Sequence, residues 1–140
     1  MMVLVVSAAA SWAMVGLIWM VQVVHYPMLT TYSALSPVVA AKEHQRRISF
    51  VVGPLMAAEG VTALILLVKR PDTMSSLSAL VAAALLGVAL ASTVLLQVPL
   101  HERLAMGDDD HAARQLIKTN WIRTVAWTAR GLVLAGVLAW

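Results

Sequence analysis

Most of the polar side chains that could do chemistry lie near the end of the third apolar run and the start of the fourth. The main ones are Gln97, His101, Asn120 and Arg123. Thr93, Gln97 and His101 share one face of a helix because they are spaced four residues apart. An imidazole can exchange a proton near neutral pH, and a fixed guanidinium can stabilise an oxyanion. This set of residues predicts a polar pocket that binds a small molecule and handles its protons.

The fourth apolar run carries a polar stripe that continues deeper into the chain's hydrophobic region. Asn120, Arg123, Trp127 and Arg130 follow one another at intervals of three or four residues, so they lie on one helical face. Because two arginines facing lipid would be costly, this face should point into a bundle. Glu59, near the middle of the second apolar run, lies at a matching depth, and we expect it to form a buried ion pair with Arg130. The alternative is that Glu59 is a proton acceptor at the bottom of a pocket, without contact to Arg130.

The remaining candidates are Gln22 and His25 at the end of the first apolar run and His44 just before the second. Together with the residues above they make up the predicted site. The predicted catalytic residues are His25, His101 and Arg123, and the predicted binding residues are Gln22, His44, Gln97, Asn120 and Trp127. His25 and His101 allow two other interpretations, since they could be interfacial histidines bonded to loops or the axial ligands of a haem or a transition metal. Because no metal-binding motif is present, we expect no cofactor.

The composition indicates the kind of protein that must position these residues. The chain has 140 residues, of which 61% are hydrophobic and 12% are charged. Soluble domains average about 45–50% apolar and about 25% charged residues. The chain is therefore predicted to be an integral membrane protein. The absence of cysteine excludes disulfides and thiol chemistry.

Four apolar segments are each long enough to cross a bilayer, which requires about 20 residues. We predict a single all-α membrane domain over residues 1–140, a bundle of four transmembrane helices at about 3–26, 37–68, 77–104 and 110–140. Pro27 should end or bend the first helix, and Pro99 should bend the third. The similar ends of the first and third helices also allow an arrangement of two parallel helical hairpins.

Basic residues predict the orientation. Seven lie on the side of the 1–2 and 3–4 loops, against two on the side of the 2–3 loop, and these two are Lys69 and Arg70. The positive-inside rule then places the 1–2 and 3–4 loops in the cytoplasm and both termini outside. We expect a multi-pass protein of the inner (cytoplasmic) membrane. Its basic residues would touch anionic lipid, and we expect no nucleic-acid partner.

The segment from Val94 to Trp127 resembles a known family. Val98-Pro99-Leu100-His101-Glu102-Arg103-Leu104-Ala105, then an acidic loop, then Asn120-Trp121-Ile122-Arg123-Thr124 is similar to the signature of the anthrone-oxygenase-like small membrane proteins. His101 stands where that family usually has asparagine. The resemblance implies a four-helix membrane bundle. For some members it also implies oxidation of anthrones by oxygen without a known cofactor.

Three functions are compatible with these observations. The first is a pocket that binds or oxidises a hydrophobic aromatic or quinone-like molecule, as a cofactor-free oxygenase or related oxidoreductase. The second is a membrane redox protein with a haem or a metal held by His25 and His101. The third is a non-catalytic accessory subunit that packs in a larger membrane complex or forms a homo-oligomer.

Overall fold

Long helices make up almost all of the protein. The computed structural model describes residues 1–28, 37–107 and 110–139. Within these ranges the helices are α1 (Met2–Met28), α2 (Pro37–Val68), α3 (Ser76–Met106) and α4 (Asp110–Ala139). All four are long and apolar enough to cross a membrane, which confirms the predicted all-α four-helix bundle and indicates a multi-pass membrane protein. Trp140, the last residue of the predicted fourth helix, lies outside the described residues.

The helices follow one another around the bundle in chain order. Consecutive helices pack against each other, and α4 closes the ring by packing against α1. Consequently α1 and α3 are diagonal partners, as are α2 and α4. The connection between α2 and α3 is short, and α3 begins with the Ser75 hydroxyl accepting a hydrogen bond from the Ser78 amide at 3.0 Å, a standard helix cap.

Three apolar layers fill the bundle from one end to the other. The layer at the termini packs Leu4 against Leu134, and the middle layer packs Met14 and Ile18 against Ala89 and Trp127. The third layer surrounds Tyr26 and contains Leu100 and Leu116. The end of the bundle that contains this third layer carries Tyr26, His44 and His101, and we call it the histidine end. Large apolar side chains that remain exposed, including Phe50, Leu64 and Leu95, point outward as lipid contact requires.

Neither Pro27 nor Pro99 ends its helix, and each is preceded by a widened π-helical turn. These turns are Val21–His25 in α1 and Thr93–Gln97 in α3. A proline ring clashes with the carbonyl four residues earlier, and for both Pro27 and Pro99 that carbonyl lies inside the π turn. The wider turn gives the ring more room, and α1 continues to Met28 and α3 to Met106. Single π turns inside α-helices are frequent at functional sites.

Candidate functional site

The centre of the bundle holds an ion pair between the diagonal helices α2 and α4. The Arg130 Nε atom lies 3.3 Å from Glu59 Oε1, and both side chains are fully buried. The Trp127 indole donates to Glu59 Oε2 at 2.8 Å, so the carboxylate is held by two residues of one α4 face. Trp127 therefore belongs to this deep cluster and does not lie at the histidine end.

The two other helices complete the hydrogen bonds of this pair. The Arg130 guanidinium donates to the hydroxyls of Ser7 and Ser11 of α1, both at 3.0 Å, and to the Ala82 carbonyl of α3 at 2.6 Å. Ser11 in turn donates to Glu59 at 2.5 Å. All four helices thus meet at one charge-neutral network. Since both charges are paired and hydrogen-bonded, this cluster has the features of a structural element that fixes the bundle.

A second polar cluster lies at the histidine end. The Tyr26 hydroxyl bonds to Gln97 Oε1 at 3.2 Å and lies 3.1 Å from His101 Nε2. The His44 ring stacks on that of His25 with centroids 4.0 Å apart, and lies 5.7 Å from that of His101. The three predicted site histidines, one each from α1, α2 and α3, are therefore in one group, and the buried Tyr26 hydrogen-bonds to one of them.

Amide side chains anchor this cluster to α4. Asn120 donates to Gln22 Oε1 at 2.9 Å, and the Gln22 amide donates to the Ile117 carbonyl at 3.2 Å. Gln97 donates to the Thr119 hydroxyl at 2.9 Å. Both glutamines lie in the π turns, so these turns place one hydrogen-bonding amide from α1 and one from α3 against the start of α4.

Arg123 is the other buried cation of α4, and its environment differs from that of Arg130. Its guanidinium is only 6% exposed, stacks over the Trp127 ring at 5.2 Å and interacts with the Tyr26 hydroxyl. Among the residues that the structure describes, no carboxylate pairs with it, and its Nε atom has no hydrogen-bond acceptor. Among the described residues, the histidine end therefore contains a buried positive charge that has no carboxylate partner.

A partly open cavity of about 210 Å³ lies beside this charge; we call it the Arg123 cavity. Its polar wall includes Tyr26, His44, Gln97, His101 and Arg123, and its apolar wall includes Leu17, Ile18, Val21, Ile48, Val52 and Met56. The arrangement of a mainly apolar cavity with a few convergent polar groups is typical of small-molecule sites.

The structure distributes the predicted site residues over three places. His44, His101, Gln97 and Arg123 line the Arg123 cavity. His25 stacks behind His44, and Gln22 and Asn120 bond to each other, all three outside the cavity wall. Glu59, Arg130 and Trp127 form the deep cluster.

Sequence reasoning missed three residues that take part in these two polar clusters. Tyr26, which is buried and bonds to both Gln97 and His101, lies four residues after Gln22, a helical spacing that could have indicated its position. Ser7 and Ser11 were not among the predicted site residues. Their spacing of four residues puts two hydroxyls on one face, and that pattern was the available signal for a polar partner.

The histidine group does not have the geometry of a metal site. In residues 1–28, 37–107 and 110–139, no three His, Cys, Asp or Glu side chains are placed to hold a metal ion. Imidazole lone pairs lie in the ring plane, so the stacked rings of His25 and His44, 28° apart, direct theirs side by side and not toward one point.

Comparisons with known proteins give no relative for this chain. No protein family model, no curated protein and no solved structure matches it. Any functional conclusion therefore rests on the residues and their geometry.

Proposed function

We propose that this protein binds, within the membrane, a small aromatic molecule that carries one acidic oxygen, such as a phenol, an enol or a quinol. The ring would occupy the Arg123 cavity and the ionised oxygen would lie at the guanidinium. The observation that carries this proposal is the contrast between the two buried arginines of α4. Arg130 has a carboxylate and three further oxygen acceptors, whereas Arg123 has no carboxylate partner among the described residues.

A buried and unpaired charge costs several kcal/mol, which a protein retains only where something offsets it. An anionic ligand oxygen supplies the missing counter-charge, and the attraction is strong because the cavity has a low dielectric constant. The apolar wall formed by Ile48, Val52 and Met56 favours a hydrophobic body over a small inorganic anion. Together these features select a ligand that is mostly ring with one acidic group.

Proton acceptors lie beside this oxyanion position. A phenol or enol crosses or enters a membrane in its neutral form, so it must lose a proton to become the anion that Arg123 stabilises. His101 lines the same cavity, and its Nε2 atom lies 3.1 Å from the Tyr26 hydroxyl. Because Tyr26 donates its one proton to Gln97, Nε2 donates to the Tyr26 oxygen, and the neutral ring accepts a proton at Nδ1. The pairing of a base with a fixed positive charge is the arrangement that proton abstraction from a weak acid requires.

The cavity volume limits the size of the ligand. A dry cavity of about 150 Å³ holds one benzene molecule, so a cavity of about 210 Å³ accommodates one substituted ring. A three-ring anthrone would extend through the open side. Oxidation of the bound anion by oxygen, the reaction implied by the resemblance to anthrone oxygenases, is an extension of this proposal, since ionisation makes the ring electron-rich. Oxygen consumption with and without ligand measures it.

The binding proposal is tested with 4-nitrophenol, a one-ring phenol whose phenolate absorbs visible light. We expect that adding the detergent-purified protein at fixed pH increases the phenolate absorbance in a saturable manner. Arg123→Met should abolish the increase, because Met fills similar space without charge. Arg70→Met, which removes an exposed arginine at the opposite end of the bundle, should leave it unchanged.

Two results would count against this site. Absence of a saturable phenolate signal from the wild-type protein would mean that the cavity does not stabilise an oxyanion. A signal of equal size in Arg123→Met would mean that the anion binds elsewhere.

We further propose that the histidine end faces the cytoplasm, with the protein in the inner membrane. The basic residues near the 1–2 and 3–4 loops support this orientation. The chain has no cysteine, so single-cysteine variants can be labelled without background. Thr73→Cys in the 2–3 connection should react with an impermeant maleimide in intact cells, and His111→Cys should react only after lysis. The reverse pattern would invert the proposed orientation.

A further inference from the structure

The Arg123 cavity opens sideways, between α2 and α3. Three of the residues that line it, Ser49, Gly53 and Val98, are themselves exposed on the outside of the bundle. Gly53 contributes no side chain there, and a Cβ atom added to it would meet nothing within 4 Å. The mouth therefore lies at the seam of two adjacent helices, on the outer surface.

The position of this mouth along α2 places it in hydrocarbon. The apolar stretch of α2 starts at Ile48, so Gly53 lies about 7–8 Å further along the helix at 1.5 Å per residue. Exposed side chains around the mouth are apolar, with Phe50 on α2 and Val94 and Leu95 on α3. In a membrane of ordinary thickness, a surface at this depth contacts acyl chains.

From these observations we infer that the ligand bears a long apolar chain, which leaves the cavity past Gly53 and Val98 into the bilayer. The inference rests on the proposed function and specifies its ligand class as an alkyl- or isoprenoid-substituted phenol or quinol dissolved in the membrane. The acidic ring enters the cavity headfirst toward Arg123 while the chain stays in lipid. This arrangement explains why a cavity sized for one ring has a lateral opening.

The π turn of α3 contributes to this geometry. Thr93 and Gln97, its first and last residues, line the cavity, and Val98 follows directly at the mouth. Because the turn is wider than an α-helical one, it offsets the α3 backbone at this seam while it turns Gln97 inward to Tyr26. One local feature thus shapes both the polar wall and the mouth.

The test compares two probes, 4-nitrophenol and 2-decyl-4-nitrophenol, in phosphatidylcholine vesicles that contain the protein. Each dissociation constant is calculated from the concentration of the probe in the membrane. In the wild-type protein both should give the phenolate signal. Gly53→Leu places a branched side chain in the mouth, and it should weaken the tailed probe at least about tenfold more than the untailed one. Leucine also favours helix over glycine, so folding is not at risk. Gly87→Leu is the matched control, since Gly87 is exposed on α3 with equally open space and lies away from the cavity.

A second pair of variants tests independently whether the apolar chain of the ligand passes between α2 and α3. Val98→Trp should discriminate against the tailed probe as Gly53→Leu does, whereas Val88→Trp, at an exposed position of α3 outside the cavity wall, should not. If the affinities for the two probes change in parallel in both mouth variants, the lateral route is wrong while the Arg123 site stands. If the wild-type protein gives an Arg123-dependent signal with neither probe, the proposed function fails and the route fails with it.

Discussion

The two buried arginines of α4 predict opposite stability effects for the same substitution. Arg130→Met leaves the Glu59 carboxylate, 0% exposed, without its counter-charge and removes the partner of Ser7, Ser11 and the Ala82 carbonyl. Breaking a buried ion pair in this way costs about 3–5 kcal/mol. We therefore expect Arg130→Met to be strongly destabilised.

Arg123→Met removes a charge that has no carboxylate partner among the described residues. Replacing a whole buried ion pair by apolar side chains of similar volume is often neutral or stabilises by about 1–4 kcal/mol, because it removes the cost of burying charge. Removing a buried charge that has no carboxylate partner should likewise remove such a cost. The loss of the guanidinium stacked on Trp127 at 5.2 Å offsets about 0.5–2 kcal/mol of that gain. The empty Arg123→Met protein should thus be as stable as the wild type or more stable, and more stable than Arg130→Met by at least about 3 kcal/mol.

The assay is equilibrium unfolding of the three proteins in the same detergent, followed by circular dichroism and without added ligand. Greater stability of Arg123→Met together with loss of phenol binding would show that Arg123 is retained for its ligand at a cost in stability. If Arg123→Met is destabilised as strongly as Arg130→Met, then Arg123 has a structural partner and the reasoning from its unpaired charge is refuted.

Three further predictions concern the same two clusters. In a double-mutant cycle, Glu59→Gln should cost less in the Arg130→Met background than alone, because the two charges depend on each other; additive effects would contradict the ion pair. Ser11→Ala should destabilise the protein by about 1–3 kcal/mol, since it removes a buried hydroxyl that hydrogen-bonds to both Glu59 and Arg130. Ser92→Ala should be close to neutral, because the buried Ser92 hydroxyl has no partner among the described residues. Equal losses of stability in unfolding experiments would refute this contrast. Tyr26→Phe should destabilise by about 1–2 kcal/mol and weaken the phenolate signal, since it removes the hydroxyl shared by Gln97 and His101; an unchanged protein by both measures would exclude Tyr26 from the site.

The helices were predictable because the apolar runs are long and their ends carry strong local signals. The second helix spans Pro37–Val68, as predicted, and Ser75 caps the third. The π turns before Pro27 and Pro99 were not predictable. A proline in a helix can be accommodated by a bend, a break or a wider turn, and neighbouring helices decide which of these forms.

The site was partly predictable for a similar reason. The pairing of Glu59 with Arg130 follows from depth, since charges at the centre of a membrane need partners. Ser11 was not assigned to that pair, because a serine in an apolar helix can also bond to its own backbone. The stacking of His44 on His25 depends on how far α2 approaches α1, which is set by tertiary packing and leaves no pattern in either segment alone.

The measurement that tests the central claim most directly is the discrimination between 4-nitrophenol and its methyl ether, 4-nitroanisole. The two have nearly the same ring and size, but only the phenol can form an oxyanion. We predict that the wild-type protein binds the phenol at least about tenfold more tightly, corresponding to about 1.4 kcal/mol, and that Arg123→Met loses this preference while still binding the ether. Equal affinities in the wild-type protein, or a preference that persists in Arg123→Met, would contradict an oxyanion site at Arg123.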